Sequence, residues 1–361
     1  MQHPVCSSRT RSLGAVMLLL AALSPSLTGA ARPPSKCKLM AVAQIPVDLQ
    51  SGRPVIAAAI DGHASNMLVD TGASQSLIFR SAAATFGLKV VENGSKGYAA
   101  GGIEYSGTVE VHDLDVAGFV VHHLILAAMG HGAPSDKVAG VLGEDFLAHW
   151  DLELDPAAGV MRLMVPKDCT GDQVVYWAPA YAVVSLDPSW WHALQTNVQL
   201  NGHDVLAMFD TGASRTIVGS DVVKRPGLRP TVEAATGNLG HGLASGGFVI
   251  DTAVFPSITI GQETIQNPKL AVADLFSKTR EVKVESHIAS KPENQPEMLI
   301  GMDFFRAHHV YVAKDQRKMY FTYLGGPIFL TADQAAAKAP SVPPAADATP
   351  SVETPKAAAP Q

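Results

Sequence analysis

Short apolar runs separated by glycine, proline and polar turns fill the middle of the chain. Runs of this length and pattern predict β-strands, and the many turn residues favour strands over helices. One arrangement occurs twice: an apolar strand, a Gly-His turn and a second apolar strand. The strands of the two copies are predicted at Val55–Ile60 and Met67–Val69, and at Asn197–Leu200 and Val205–Phe209. Further strands are predicted at Glu104–Val111, Phe119–Leu126, Asp151–Leu154, Val160–Met164 and Phe248–Ile260, and a short helix at Ser81–Phe86.

The repeat centres on an identical pentapeptide. Asp70-Thr71-Gly72-Ala73-Ser74 recurs 140 residues later as Asp210-Thr211-Gly212-Ala213-Ser214. A second pair of related segments follows at Gly140–Leu147 and Met298–Phe305, where the offset is 158 residues. The second half therefore carries about 18 extra residues, and the polar segment Ser277–Glu297 is the predicted surface insertion. Paired motifs in the same order indicate an internal duplication.

The two ends of the chain differ from this repeating middle. An uncharged apolar segment after Arg9 and Arg11 predicts a secretory signal peptide, with an uncleaved membrane anchor as the alternative. We therefore expect an exported protein, either periplasmic or secreted. The predicted organisation is a signal peptide at 1–30, an N-terminal lobe at 38–166, a connection at 167–188, a C-terminal lobe at 189–327 and a disordered Ala/Pro-rich tail at 331–361.

Composition removes several classes of protein. Hydrophobic residues make up 47% of the chain and charged residues 17%, so the middle can bury a core. A net charge of −6 without a Lys/Arg cluster argues against a nucleic-acid partner. Outside the signal segment, Cys37 and Cys169 are the two cysteines; they predict a disulfide in an exported chain, and two free thiols are the alternative.

Two Asp-Thr-Gly turns suit one kind of chemistry. If the turns face each other, Asp70 and Asp210 lie roughly 3 Å apart and share one proton, as paired carboxyl groups do. One carboxylate can then act as a general base on a water molecule, and the protonated one can donate to a carbonyl oxygen. Glycine allows close approach of the backbone, so Gly72 and Gly212 support the site. Thr71 and Thr211 can lock the two loops through their hydroxyl groups.

These motifs resemble those of the pepsin and retropepsin superfamily of aspartic peptidases, and most closely two fused copies of the bacterial retropepsin-like domain. The resemblance covers roughly Val42–Tyr323. It implies an all-β, bilobal acid-protease fold with two pseudo-twofold-related β-barrel lobes and a few short helices. It also implies that Asp70 and Asp210 are the catalytic pair of an aspartic endopeptidase. The expected substrate is an extended peptide, with no cofactor and no metal, and the expected state is a monomer.

The resemblance also implies a flap, a glycine-rich hairpin over the substrate. Tyr98, Gly101 and Gly102 are the flap candidates, and Tyr105 is a second candidate for the flap tyrosine. Pepsin-like motifs place Ser or Thr after the glycine, whereas this chain has Ala73 and Ala213. Because a hydrogen-bond donor to the charged form is missing, we expect raised pKa values and a mildly acidic to near-neutral optimum.

Several alternatives stay open from sequence alone. The chain could be a catalytically silent peptide-binding protein on the same scaffold, or an enzyme restricted to its own propeptide or one envelope partner. The adjacent pairs His122-His123 and His308-His309 do not have zinc-ligand spacing, because neighbours in a strand point to opposite faces. Asp145 and Asp303 are predicted to cap the short helices that begin beside them.

Overall fold

The computed structural model describes residues 36–98, 104–130, 138–187, 194–233, 251–275 and 295–329. One compact unit begins at Cys37. The predicted signal segment and the predicted tail lie outside the described residues, so both stay predictions, as do the exact lobe boundaries. Within the described ranges, no helix is both long and apolar enough to cross a membrane.

The described residues are mostly β-strand, which confirms the predicted fold class. Three short α-helices accompany the strands: α1 (Arg80–Thr85), α2 (Glu144–Leu147) and α3 (Met302–Phe305). The strands are β1 (Lys38–Pro46), β2 (Val55–Ile60), β3 (His63–Val69), β4 (Leu77–Phe79), β5 (Val90–Tyr98), β6 (Glu104–Val116), β7 (Phe119–Met129), β8 (Val138–Leu142), β9 (Asp151–Asp155), β10 (Val160–Lys167), β11 (Ala182–Ser185), β12 (Gln195–Leu200), β13 (His203–Phe209), β14 (Ile217–Gly219), β15 (Val232–Glu233), β16 (Asp251–Val254), β17 (Ser257–Ile260), β18 (Glu263–Gln266), β19 (Lys269–Ala273), β20 (Met298–Ile300), β21 (His308–Ala313) and β22 (Lys318–Tyr323).

The first lobe is a sheet that closes on itself. Its strands follow the order β2-β3-β8-β4-β7-β6-β5, and β2 also pairs with the far end of β6. Apolar side chains of these strands point inward, among them the fully buried Ile56, Ile60, Val109 and Val111. The pairing of β3 with β8 is parallel, and it brings the end of β3 beside Leu142. The catalytic-type loop that follows β3 is thus anchored on a buried strand.

The second lobe repeats this plan with one break. Its order is β15-β16-β19-β14-β20-β13-β12-β17-β18, and β12 pairs with β17 where β2 pairs with β6. The strand predicted at Phe248–Ile260 is in fact two strands, β16 and β17, separated at Phe255-Pro256. Pro256 has no backbone N–H to donate, so it interrupts a ladder that the first lobe continues through β6. Residues 248–250 lie outside the described ranges.

A third sheet joins the two lobes. Its order is β1-β10-β9-β21-β22-β11, with three strands from each half of the chain. The two halves meet where β9 pairs antiparallel with β21, from Leu152 opposite Val312 to Leu154 opposite Val310. Both strands are almost wholly buried. The lobes therefore share a hydrogen-bonded sheet and do not meet through side chains alone.

Cys37 and Cys169 form a disulfide in this structure. The bond connects the residue before β1 to the segment after β10, and these two strands pair along their whole length. β1 is an edge strand of the shared sheet, so the link closes its exposed end.

Removing this disulfide should lower the free energy of unfolding by about 4 kcal/mol, because it closes a loop whose ends are 132 residues apart in sequence. Chemical denaturation of the oxidised chain and of a Cys37→Ser/Cys169→Ser variant measures the difference. A reductant should lower the free energy of unfolding of the parent chain to that of the variant, and it should not change the free energy of unfolding of the variant. A variant as stable as the oxidised chain would contradict this role.

Candidate active site

Two equivalent loops present the carboxyl groups. Asp70 follows β3, and its N–H donates to Leu142 O at 3.0 Å on the adjacent β8. Asp210 follows β13, and its N–H donates to Ile300 O at 2.9 Å on β20. The parallel strand pairs of the two lobes thus hold both aspartates in the same way. Each aspartate is only 7% exposed.

Thr71 and Thr211 bind the two loops to each other. The Thr71 hydroxyl donates to Phe209 O at 2.8 Å and accepts the N–H of Thr211 at 3.1 Å. The Thr211 hydroxyl donates to Val69 O at 2.8 Å and accepts the N–H of Thr71 at 3.1 Å. Both side chains are buried. The four hydrogen bonds form a reciprocal network that fixes the distance between the loops.

Gly72 and Gly212 make room for the carboxyl groups. A Cβ atom on Gly72 would lie 2.6 Å from the carboxyl carbon of Asp210, and one on Gly212 would overlap the carboxyl group of Asp70. Neither glycine has a positive φ, so an unusual backbone conformation does not explain the need for glycine. Glycine is needed because the opposite carboxyl group lies too close for any side chain. Each carboxyl group thus lies against the glycine of the other loop, which brings the two carboxyl groups next to each other.

This arrangement raises the pKa of both aspartates. For Asp70, burial raises the pKa, while hydrogen bonds from Asp210 and from the N–H groups of Gly72 and Ala73 oppose the change. For Asp210, burial and then the neighbouring Asp70 carboxylate raise the pKa well above its usual range. Two buried carboxyl groups in contact cannot both ionise at neutral pH, so the pair holds one proton. Burial is the largest cause of the raised pKa values, whereas the expectation from sequence rested on the missing hydroxyl groups at Ala73 and Ala213.

A second layer of hydrogen bonds supports each loop, and it involves the two aspartates that were expected to cap the short helices. The carboxylate of Asp145 accepts the N–H and hydroxyl of Ser76 at 2.8 and 2.6 Å. Asp303 accepts the same groups of Thr216 at 2.8 and 2.7 Å. Neither aspartate occupies the N-cap position, which Gly143 and Gly301 hold without a side-chain hydrogen bond. Asp303 nevertheless accepts the N–H of Phe304 in the first turn of α3 at 3.0 Å. Both aspartates also hold the end of an Asp-Thr-Gly loop.

Comparisons with known proteins agree with this geometry. Residues 196–304 match the family described as "Aspartyl protease", and residues 56–149 match the family described as "gag-polyprotein putative aspartyl protease". Each match contains one Asp-Thr-Gly loop. Each half of the chain therefore matches an aspartyl protease family. The aspartic proteinase from Irpex lacteus has a similar structure, with a TM-score of 0.47, 13% identity, and coverage of 80% of this chain and 98% of that one. No curated protein matches the chain.

Charged residues near the pair break the symmetry of this two-domain peptidase fold. Arg53 is 7% exposed, and its electrostatic partners are Asp70 and Asp210. Glu144 on α2 is 1% exposed, and its Oε2 accepts a hydrogen bond from Nζ of Lys314 at 2.6 Å. At the position of Glu144 the second copy has Met302. The motifs of the sequence do not single out Arg53, Glu144 or Lys314, although the difference between Glu144 and its counterpart Met302 is a usable signal.

The flap candidates are only partly within the described residues. Tyr98 ends β5 opposite Glu104 of β6, in an antiparallel pair of strands, while Gly101 and Gly102 lie outside the described ranges. Arg80 at the start of α1 holds the base of this pair of strands, donating to Ser106 O at 2.6 Å and to Glu92 Oε1 at 2.7 Å. Tyr105 packs against an apolar cluster. The flap role of Tyr98, Gly101 and Gly102 stays a prediction.

Two groups of side chains within the described ranges have the geometry to hold a metal ion. Glu110, His112 and His123 are exposed on β6 and β7, with one ligand atom each, all within 4.8 Å of one another. Because this group joins two paired strands, the spacing of these residues along the chain does not reveal it. A buried group contains Glu153, Asp155 and His309.

Arg162 already occupies the buried group. Its Nη1 lies 2.8 Å from Glu153 Oε1, which His309 Nε2 also approaches to 2.8 Å. This cation supplies the positive charge that a metal would bring, so the residues fit a structural ion-pair network between the lobes.

Thr71→Val should lower the free energy of unfolding by about 1–3 kcal/mol, because it leaves Phe209 O and the N–H of Thr211 buried without the Thr71 hydroxyl. Denaturant titration of purified variants measures the loss. Thr71→Ser keeps the hydroxyl and is the matched control. Equal losses in the two variants would show that the methyl group, and not the hydrogen bonds, stabilises the loops.

Asp210→Asn should stabilise the chain at pH 7 and leave its stability at pH 3 nearly unchanged. A carboxyl group whose pKa is higher in the folded than in the unfolded state retains its proton longer when folded, so stability falls as pH rises above the unfolded pKa. Asparagine is always neutral and can still donate to Asp70. We expect a gain on the order of 1 kcal/mol at pH 7.

Denaturant titrations at both pH values test this expectation. Asp187→Asn, at an exposed position, is the control for loss of one negative charge. A loss of stability at pH 7 in the Asp210→Asn chain would contradict the raised pKa.

Proposed function

We propose that this chain is an aspartic endopeptidase that hydrolyses extended peptides between its two lobes. The observation that carries the proposal is the reciprocal packing of two buried carboxyl groups, each against the glycine of the opposite loop. A pair that holds one proton offers a base and an acid at the same place. The family matches in both halves support peptidase activity of this general kind.

The chemistry needs only water and the two aspartates. The ionised carboxylate removes a proton from a water molecule, whose oxygen attacks the carbonyl carbon of the peptide bond. The protonated carboxyl group donates its proton to the carbonyl oxygen, which gives a neutral tetrahedral intermediate. When that intermediate collapses, the C–N bond breaks and the nitrogen receives the proton taken from water. The second proton returns to the pair, which is then ready for another cycle.

Further parts of the proposal concern the state and place of the protein. Both carboxyl groups come from one chain, which favours a monomer. The signal-like segment at 1–30 and the disulfide favour export to an oxidising compartment. The substrate is a peptide in extended form with apolar residues near the cleaved bond.

The purified chain should cleave a denatured protein or a peptide library, with a mildly acidic to near-neutral optimum because burial raises the pKa of both aspartates. Asp70→Asn and Asp210→Asn should each lower kcat by at least about 10³-fold, since a lone carboxyl group cannot act as both acid and base. Mass spectrometry of the products measures cleavage, and pepstatin should inhibit it.

The substitution Asp187→Asn serves as the matched control. Cleavage that survives either active-site substitution would exclude the shared pair. Binding of peptides without cleavage at any pH would replace the proposal with a peptide-binding protein.

A further inference from the structure

Three metal-ligating side chains meet on the exposed face of the first lobe. Glu110 and His112 lie on β6, and His123 lies on β7. All three residues are exposed, and one ligand atom of each lies within 4.8 Å of the other two. None of the three belongs to the Asp-Thr-Gly loops, and the proposed peptidase chemistry does not use them.

The register of β6 against β7 brings the three residues together. Val111 pairs with Leu124 in an antiparallel ladder, so the next residue of β6, His112, faces the preceding residue of β7, His123. The two imidazole rings meet edge to face, with their centroids 6.0 Å apart. Glu110 lies two residues before His112 and therefore points to the same face of the strand. The backbone ladder thus sets the spacing of the ligands.

The second lobe has the same backbone at this point but not the ligands. Aligned on the ladder pairs Asp113–His122 and Ser257–Gln266, the second lobe has Val254, Pro256 and Asn267 where the first has Glu110, His112 and His123. Asn267 and His123 share a left-handed conformation, with φ of 50° and 54°. This unusual backbone therefore belongs to the fold of both lobes. The side chains of Val254 and Pro256 contain no ligand atom, so the ligand set is a property of the first lobe.

No ion pair occupies these ligands. The adjacent His122 lies 2.6 Å from the carboxylate of Asp113, and the two side chains neutralise each other when the histidine is protonated. Within the described ranges, the side chains of Glu110, His112 and His123 have no such hydrogen bond or ion pair. They differ in this respect from the buried metal-like group between the lobes, where an arginine already supplies the positive charge.

Two imidazoles and one carboxylate are a ligand set that zinc uses, with a fourth position left for water. Ligand atoms about 2.0–2.2 Å from a tetrahedral zinc lie roughly 3.3 Å apart. Exposed side chains can close the remaining distance by small rotations, since little packs against them. Magnesium and calcium prefer oxygen ligands, so two imidazole nitrogens disfavour both ions.

We propose that Glu110, His112 and His123 form a zinc-binding site that clamps β6 to β7 on the surface of the first lobe. The ion joins the two strands at the point where the left-handed residue interrupts their regular geometry. The carboxylate of Glu110 offsets part of the charge of the ion. The proposal does not depend on the peptidase function.

Isothermal titration calorimetry of the full chain with zinc chloride, after dialysis against a chelator, tests the site at neutral pH. We expect one zinc ion per chain, with the affinity lowered at least about tenfold in Glu110→Gln, His112→Gln and His123→Asn, because loss even of a group that supports a metal ligand has an effect of that size. His123→Asn is the variant most certain to fold, since Asn267 has the same backbone conformation in the second lobe.

The matched control is His122→Gln, which removes the neighbouring exposed histidine and should leave the affinity for zinc unchanged. Affinity that is equal in the parent and the three ligand variants would overturn the proposal, as would a parent chain that binds no zinc. An equal loss in His122→Gln would show a diffuse histidine surface and would also overturn it. Excess calcium should not displace zinc, and displacement would contradict the nitrogen ligands.

Hydrogen exchange of the backbone amides of β6 and β7 tests the clamp. Zinc should slow exchange in both strands of the parent chain and leave exchange in His123→Asn unchanged, because an ion that links two strands opposes their local opening. Zinc that binds without slowing exchange would overturn the clamp. Neither measurement involves peptide cleavage, so a failure of the peptidase function would leave both results valid.

Discussion

The reciprocal contact between the two Asp-Thr-Gly loops is the constraint on which the site depends. Each threonine hydroxyl bonds the backbone of the other loop, and each glycine leaves space for the carboxyl group of the other loop. Neither lobe can hold its aspartate in this geometry without its partner. The shared sheet, in which β9 pairs with β21, supplies the stable register that brings the loops together. Because β9 and β21 are buried, this pairing stabilises the contact between the lobes, on which the geometry of the two loops depends.

Symmetry alone would make the two carboxyl groups equivalent, and a general acid and a general base are not equivalent. The two halves differ in the charged residues around the loops: the first has Glu144 where the second has Met302, and the second has Arg215 where the first has Gln75. A symmetric dimer of single lobes would carry any such residue twice. Duplication within one chain allows each half to change independently.

The sequence was most informative where the chain repeats itself. The duplicated pentapeptide predicted Asp70 and Asp210, and strand patterning predicted two β lobes, because alternation and turn residues report local structure directly. Contacts between distant segments were harder to foresee. A local rule places Asp145 at a helix cap because aspartate is common there, yet its side chain accepts hydrogen bonds from Ser76, 69 residues away. Arg53 lies outside the repeated motifs, so the duplication does not point to it. Its burial depends on the fold around the loop, which no local pattern encodes.

The disulfide has a consequence for the lifetime of the molecule. The ends of β-strands fray at little cost in free energy, and proteases cut frayed segments first. β1 lies at the edge of the shared sheet, where it has a neighbour on one side alone. Cys37 secures the exposed end of this strand to the segment that follows its neighbour β10. A peptidase of the proposed kind would cut the frayed strand ends of neighbouring copies first, and the disulfide protects this end of β1 from such attack.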